Sequence, residues 1–209
     1  MTPLRAWLSS VVVVIVVATA AAPAHAQFFR NNSLGPQVGW LGLGTTFDPL
    51  LGPAWNIHDN PTLGVDWKLA LPLDGLWLDN QLALGGSSVR ISDVANIEPI
   101  FSLSWSIGIR YDFLVERLRP FVSAHVQYLQ IIPFTAAPAI ATNSLLGNKP
   151  FWVGPRLGGG VEYIFADEMS IALEVGATAF LGLNTPPPGG AQSFILPAAL
   201  ARLSYNIYF

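Results

Sequence analysis

The stretch IFSLSWSIGIRYDF, residues 100–113, alternates apolar and polar residues over nearly its whole length. Its odd-numbered positions from Phe101 to Phe113 are apolar or aromatic, and its even-numbered positions from Ser102 to Asp112 are polar or glycine. A helix has no period of two, whereas successive side chains of a β-strand point to opposite faces of a sheet. The stretch therefore predicts a β-strand with one apolar face and one polar face.

The same alternation predicts eight strands along the chain. The segments between them are long after strands one, three, five and seven, and short after strands two, four and six. Long external loops and tight periplasmic turns are typical of outer-membrane barrels, and an even strand number puts both termini on the short-turn side. We predict an all-β fold, an eight-stranded antiparallel up-and-down transmembrane β-barrel. The predicted strands are 37–46, 62–71, 76–84, 99–113, 118–131, 151–165, 169–181 and 194–209.

The composition agrees with this fold and excludes some classes of partner and site. Hydrophobic residues make up 52% of the 209 residues and charged residues only 11%, against about 25% charged in a typical soluble domain. The net charge of −3 gives no electrostatic reason to expect nucleic acid as a partner. The sequence contains no cysteine, which excludes disulfides and thiolate metal sites.

The N-terminus, residues 1–26, predicts a cleavable signal peptide. Arg5 gives a positive start, an apolar core follows, and AHAQ supplies a small-x-small cleavage site before Gln27. An uncleaved membrane anchor is the alternative, because about seventeen apolar residues lie at the lower limit of a spanning helix. We expect a short periplasmic segment at 27–36 and the barrel at 37–209, in the outer membrane of a Gram-negative bacterium after export through the inner membrane.

The faces of the predicted strands are sorted by chemistry, and we expect the apolar face to contact outer-membrane lipid. A soluble barrel of lipocalin type in the periplasm would have the opposite arrangement. The chain is poor in charge, it carries an export signal, and aromatic residues bound its apolar face as two girdles. The girdle near the short turns contains Tyr111, Phe113, Tyr163, Phe165 and Phe209, and the girdle towards the long loops contains Trp67, Phe101, Trp105, Tyr128 and Phe151.

The polar face then fills the barrel interior with nearly balanced charge. An eight-stranded barrel is just wide enough for side chains to fill it, so we expect the charged groups to pair with one another. A polar pore or a proton path is the functional alternative. The predicted interior network is Asp66, Lys68, Asp79, Arg110, Asp112, His125, Arg156, Glu162, Glu174 and Arg202.

Large apolar residues occupy the inward positions towards the long loops. They are Leu129, Trp152, Phe180 and Leu200. Together with apolar loop residues they would form a cup for a small hydrophobic ligand. Ordinary packing beneath the loops is the alternative.

The sequence carries no recognisable enzyme motif. A phosphate-binding loop, a nucleophile elbow and a zinc-binding helix are all missing from it. A rim site for acyl transfer would combine His58 and Asp59 with Ser87, Ser88, Ser92 and Asp93, which loops commonly contain anyway. We predict no catalytic residue, no cofactor and no metal.

Two segments resemble the small eight-stranded outer-membrane β-barrel superfamily, which includes the transmembrane domain of OmpA and the OmpX, OmpW and Opa-type proteins. GPRLGGGVEYIFADEMSIALEVGATAF, residues 154–180, is similar to that group's penultimate hairpin, and LARLSYNIYF, residues 200–209, to its terminal strand. The resemblance covers residues 37–209. It implies that the outer-membrane insertion machinery reads a C-terminal signal formed here by Leu203, Tyr205, Ile207 and Phe209.

Membership of that group does not select a function, because it includes adhesins, scaffolds, hydrophobic-ligand channels and lipid A-modifying enzymes. We expect a monomeric, non-enzymatic barrel with a structural or surface-interaction role. The alternative is a narrow channel or binder for a small hydrophobic ligand, similar to OmpW. A lipid A-modifying enzyme with its site at the barrel rim and a soluble lipocalin-like barrel are less favoured.

Overall fold

The computed structural model describes residues 31–48, 52–57, 59–91, 97–113, 117–133, 151–182 and 195–209. The predicted signal peptide lies outside these residues. Every strand pairing is antiparallel. The strands are β1 (Asn32–Leu43), β2 (Thr45–Asp48), β3 (Gly52–Ile57), β4 (Asn60–Ala70), β5 (Leu76–Ile91), β6 (Ile97–Asp112), β7 (Leu118–Pro133), β8 (Phe151–Ala166), β9 (Met169–Gly182) and β10 (Ile195–Tyr208).

Eight of these strands form the barrel wall and follow one another in chain order. β1 pairs with β4 on one side and with β10 on the other, from Ser33 opposite Tyr208 to Leu43 opposite Ala198. This second pairing closes the sheet. The short strands β2 and β3 form a hairpin that joins β10 to β5 above the wall. The predicted closed, eight-stranded antiparallel barrel is confirmed.

The connections at the two ends of the barrel differ in length, with one exception. Residues 71–75, 113–117 and 167–168 connect strands at one end, which we call the short-turn end. At the other end, which we call the long-loop end, β7 and β8 are separated by residues 134–150 and β9 and β10 by residues 183–194, but β5 and β6 only by residues 92–96. The turn before β5 requires glycine, because Gly75 has φ +79° and its carbonyl accepts a bond from Asp112 N at 2.7 Å.

The first strand begins earlier than the sequence predicted. β1 begins at Asn32, so residues 32–36 belong to the wall and the segment 27–36 is not entirely outside the barrel. The predicted boundary at residue 37 was wrong because Gly35 and Pro36 resemble a strand break. The pairing between β1 and β10 skips Gly35 and Pro36, which fits the missing N–H of Pro36. The pairing between β1 and β4 continues through both residues.

The third predicted strand, 76–84, is too short. β5 continues to Ile91 and pairs with β6 as far as Ile97, so the predicted long loop at 85–98 is mostly a protruding hairpin. The sequence GGSS suggested a loop, but Gly85 is small for a packing reason. A Cβ at Gly85 would lie 2.7 Å from Ser102 Oγ, in space that Asn60 and Ser102 fill.

The outer wall is apolar around its circumference. Leu157 is 69% exposed and Leu63 is 64% exposed, whereas the charged side chains that the structure describes in the strands are buried. Trp40, whose face the glycines around it obscured, points outward. Trp67 also points outward, but it lies near the short-turn end of β4 rather than in the girdle towards the long loops, because β4 runs towards the short turn.

The aromatic residues near the short turns contact one another. Tyr111 and Phe113 meet edge to face with ring centroids 5.3 Å apart, and Phe165 packs against Tyr205 at 6.0 Å. The first pair lies at the end of β6, and the second joins β8 to β10 past the intervening β9. Ring contacts of this geometry are favourable. The apolar wall is the inverse of a soluble barrel's surface.

Glycines in β8 make room for large interior side chains, and one of them gives a test of the packing. A Cβ at Gly160 would collide with the Leu173 carbonyl and lie 2.6 Å from the Phe121 ring. We expect Gly160→Ala to lower the free energy of unfolding by about 1–3 kcal/mol through overpacking, measured by urea unfolding in lipid bilayers.

Gly86→Ala is the matched control, because a Cβ at Gly86 would meet no atom within 4 Å. Alanine there is expected to be neutral or to stabilise by about 0.5–1 kcal/mol by restricting the unfolded chain. Equal effects of the two substitutions would contradict the packing around Phe121.

Candidate functional site: the barrel interior

All ten residues of the predicted interior network point into the barrel and are buried. Alternation along each strand places them there, since each shares its face with buried neighbours such as Ser106, Ser123 and Ser204. Burying charge is costly unless the charge is paired and hydrogen-bonded. Nine of the ten residues accordingly form two clusters of ion pairs at different heights, whereas neither carboxylate oxygen of Asp66 has a hydrogen-bond partner among the described residues.

The lower cluster, near the short-turn end, is built around Glu162 of β8. Its carboxylate pairs with Lys68 at 3.3 Å and with Arg110, and it accepts hydrogen bonds from the hydroxyls of Ser170 and Tyr208. The side-chain amide of Asn206 adds a further bond at 3.3 Å. One carboxylate thus holds donors from four other strands at the centre of the lumen.

Arg110 is held from several sides in this cluster. Its Nε donates to Asp112 Oδ1 at 2.6 Å, while its guanidinium carbon lies 3.6 Å from the centroid of the Phe121 ring. Arginine stacks on aromatic faces because its planar cation meets the negative face of the ring. Phe121 in turn occupies the space over Gly160, so the glycine, the ring and the guanidinium form one stack.

The upper cluster, at mid-height, is built around Glu174 of β9. Arg202 donates to Glu174 through Nε at 2.9 Å and through Nη2, and both nitrogens donate to the same carboxylate oxygen, Oε2. Arg156 contacts the other carboxylate oxygen at 3.4 Å, and Ser123 donates to it at 2.9 Å. Two arginines from β8 and β10 thus share one glutamate.

His125 lies between the upper cluster and Asp79 of β5. Its Nε2 is 3.1 Å from Asp79 Oδ2, and Arg156 Nη2 donates to its Nδ1 at 2.8 Å. These partners fit the neutral tautomer that carries its proton on Nε2. Asp79 also accepts from Gln81 at 2.8 Å. His125 is therefore a hydrogen-bonded member of the network.

The structure adds residues that the predicted network omitted. Arg119 of β7 is 3% exposed and lies opposite Glu162 in the register, so the interior contains five basic and five acidic side chains in the described strands rather than four and five. Alternation along β7 is the signal that finds it, because Phe121, Ser123 and His125 share its parity. The register also adds Gln37, which accepts from Arg202 Nη1 at 2.9 Å.

Above the upper cluster the interior becomes apolar. Leu129 lies opposite Trp152, Leu196 opposite Phe180 and Leu41 opposite Leu200, and these pairs face one another across neighbouring strands. Leu129, Phe180 and Leu196 have no exposed surface. We call this set the apolar layer: Leu41, Leu43, Ile100, Leu129, Ile131, Trp152, Phe180, Leu196 and Leu200.

Comparison with solved structures identifies the fold. OprG from Pseudomonas aeruginosa, an outer membrane protein, superposes with a TM-score of 0.57 at 10% identity, over 86% of this chain and 97% of that chain. Neisserial surface protein A superposes with a TM-score of 0.54 at 9% identity, over 85% and 97%. The chain has the fold of the small outer-membrane β-barrels. Neither the protein-family models nor the curated protein sequences give a match.

In this outer-membrane barrel fold the predicted C-terminal signal lies on the outer surface of β10. Leu203 and Ile207 are exposed on the apolar wall, and Phe209 is 63% exposed. The backbone of Phe209 is nevertheless fixed, since its N–H donates to Asn32 O at 3.0 Å and its carbonyl accepts from Asn32 N at 3.2 Å. The terminal aromatic side chain thus extends from an ordered strand end.

The predicted rim residues are only partly within the described structure. Ser87 and Ser88 lie in β5, where Ser87 Oγ donates to the Ser88 carbonyl at 3.5 Å, and Asp59 is exposed before β4. His58, Ser92 and Asp93 lie outside the described residues. The acyl-transfer arrangement therefore stays a sequence-based hypothesis.

The described residues contain no group of three or more His, Cys, Asp and Glu side chains that could hold a metal ion. No helix that is long and apolar enough to cross a membrane occurs in the described part of the chain.

Proposed function

We propose that the chain is a non-enzymatic, monomeric barrel of the outer membrane of a Gram-negative bacterium, with a structural or surface-interaction role. The inverted wall supports the location, because apolar side chains cover the outside while charged side chains are buried inside. In this proposal the N-terminal signal peptide directs export through the inner membrane, outer-membrane lipid surrounds the wall, and the loops face the cell exterior.

The filled interior is the observation that carries the role. Lys68 and Glu162 have no exposed surface, Glu174 is 1% exposed, and the apolar layer lies above them. An interior packed with ion pairs and apolar side chains leaves the wall and the loops as the surfaces available for function. This is why we favour a structural or loop-mediated role over transport.

Membrane fractionation combined with bilayer recordings tests the proposal. The mature protein is expected in the outer-membrane fraction, with a heat-modifiable gel shift, and it is expected to show no conductance in planar bilayers. Recovery of the protein in the soluble periplasmic fraction would overturn the location. Reproducible conductance would overturn the role.

The apolar layer favours a second candidate, a narrow channel or binder for a small hydrophobic ligand. Trp152 and Phe180 are 5% and 0% exposed and lie at the long-loop end of the lumen, where an apolar solute would enter. In this alternative a hydrophobic solute moves these two side chains aside when it enters the lumen. Conductance that a hydrophobic solute abolishes, and that Phe180→Ala alters, would favour this candidate.

The C-terminal residues support a proposed partner, the outer-membrane insertion machinery. We expect Phe209→Ala to lower the amount of barrel inserted in cells several-fold, and to change the urea midpoint of barrels already folded in bilayers very little. Backbone pairing with Asn32 persists in this variant. Phe165→Ala, on the same girdle and 41% exposed, is the matched control and should leave insertion near wild type. Equal insertion of both variants would contradict a signal at Phe209.

A further inference from the structure

A small cavity lies in the middle of the lumen, between the upper cluster and the apolar layer. Its volume is about 40 Å³. Arg156 and Arg202 line its lower side, Leu41 and Leu200 line its upper side, and Gln127 and Ser104 are among the polar side chains around it. The cavity thus has both apolar and polar walls.

Two buried polar atoms on residues of this wall need a partner. Arg156 Nε and Gln127 Oε1 have no hydrogen-bond partner within the described part of the chain, although the side chains are 2% and 4% exposed. The remaining arginine nitrogens are occupied, since Nη1 donates to Gln81 at 2.7 Å and Nη2 donates to His125. One donor and one acceptor are therefore left, and leaving either unsatisfied would destabilise the fold.

We propose that the cavity binds ordered water, about one to three molecules at this volume. Water accepts from Arg156 Nε and donates to Gln127 Oε1, which a single ion of either sign cannot do. The nearby charges are already matched, because Arg156 and Arg202 pair with Glu174 and Arg202 also lies 3.7 Å from Asp79 Oδ2. The cavity is also much smaller than the roughly 150 Å³ that benzene needs. A chamber of bound water thus separates the ion pairs from the apolar layer.

Water-to-protein magnetisation transfer in lipid bilayers tests this site directly. Transfer from water is expected to the Arg156 Nε–H and to the side-chain amide of Gln127. The Asn206 side-chain amide is the internal control, because it donates to Glu162 at 3.3 Å and to Ser170 at 3.3 Å in the lower cluster. Strong transfer to the first two groups and weak transfer to Asn206 supports the water site. No transfer to Arg156 and Gln127 overturns it.

Filling the cavity provides a second, independent measurement. Ala83 lines the cavity, so Ala83→Leu is expected to displace the water, abolish the transfer and lower the ratio of folded to unfolded protein at least about tenfold. Ala83→Ser, which can bond to the water, should keep both the transfer and the wild-type ratio. If Ala83→Leu raises the ratio of folded protein, the cavity is dry and apolar filling stabilises it, and the proposal is wrong.

Discussion

Replacing Glu162 with alanine is expected to lower the free energy of unfolding by about 3–5 kcal/mol, because the substitution leaves two buried cations without their shared anion. Lys68 loses the carboxylate that it contacts at 3.3 Å, and Arg110 keeps its ion pair with Asp112. The hydroxyls of Ser170 and Tyr208 lose their acceptor as well. The measurement is urea unfolding of protein folded in phospholipid bilayers, followed by tryptophan fluorescence.

Two further variants separate charge from shape in this experiment. Glu162→Gln keeps the volume and part of the hydrogen bonding, so its loss should be smaller than that of alanine but still substantial. Asp167→Asn changes one acidic charge in the exposed turn between β8 and β9, and it should stay within about 0.5 kcal/mol of wild type. If Glu162→Ala lowers the free energy of unfolding no more than Asp167→Asn does, the lower cluster does not stabilise the barrel.

Placing arginine at Ile107 is expected to cost about 2–4 kcal/mol if this outward position lies at mid-depth in a bilayer. Ile107 is 39% exposed near the middle of β6, far from both ends of the strand. The guanidinium of the variant would either lie in hydrocarbon or have to extend along the wall to reach an interface. Urea unfolding in bilayers again provides the measurement.

Leu118→Arg is the depth control for this substitution. Leu118 also faces outward at 39% exposure, but it begins β7 at the short-turn end, where a charge reaches the interface at a cost of about 0–1 kcal/mol. A neutral Ile107→Arg would mean that the outer wall does not face lipid. Equal losses at both positions would contradict the assigned depths.

The sequence predicted the faces of the strands better than the partners across the lumen. Alternation places Lys68 and Glu162 inside because a strand has a period of two, and both are inside. Their contact joins β4 to β8 across the barrel, at a sequence separation of 94. The distance between the two side chains in space depends on the height and angle of each strand in the closed barrel. A periodicity of two does not determine these quantities.

The strand ends were the weakest part of the prediction, for a related reason. Gly35 and Pro36 in β1 and the GGSS stretch in β5 suggest loops when each is considered alone. In the barrel they are strand residues, because neighbouring side chains such as Asn60 fill the space and the adjacent ladder supplies the pairing. Tertiary contacts override local preference at such positions.

The interior bonds join residues far apart in the sequence, and this affects the order in which the protein can assemble. Lys68 meets Tyr208 at a separation of 140 residues, and Gln37 meets Arg202 at 165. These bonds form only when β10 has closed the barrel against β1, so Lys68 and Arg202 lack part of their hydrogen bonding until then. Ion pairs such as Arg202 with Glu174 join neighbouring strands and can form earlier. Closure therefore adds contacts that local strand pairing cannot supply, and contacts of such long sequence separation slow folding.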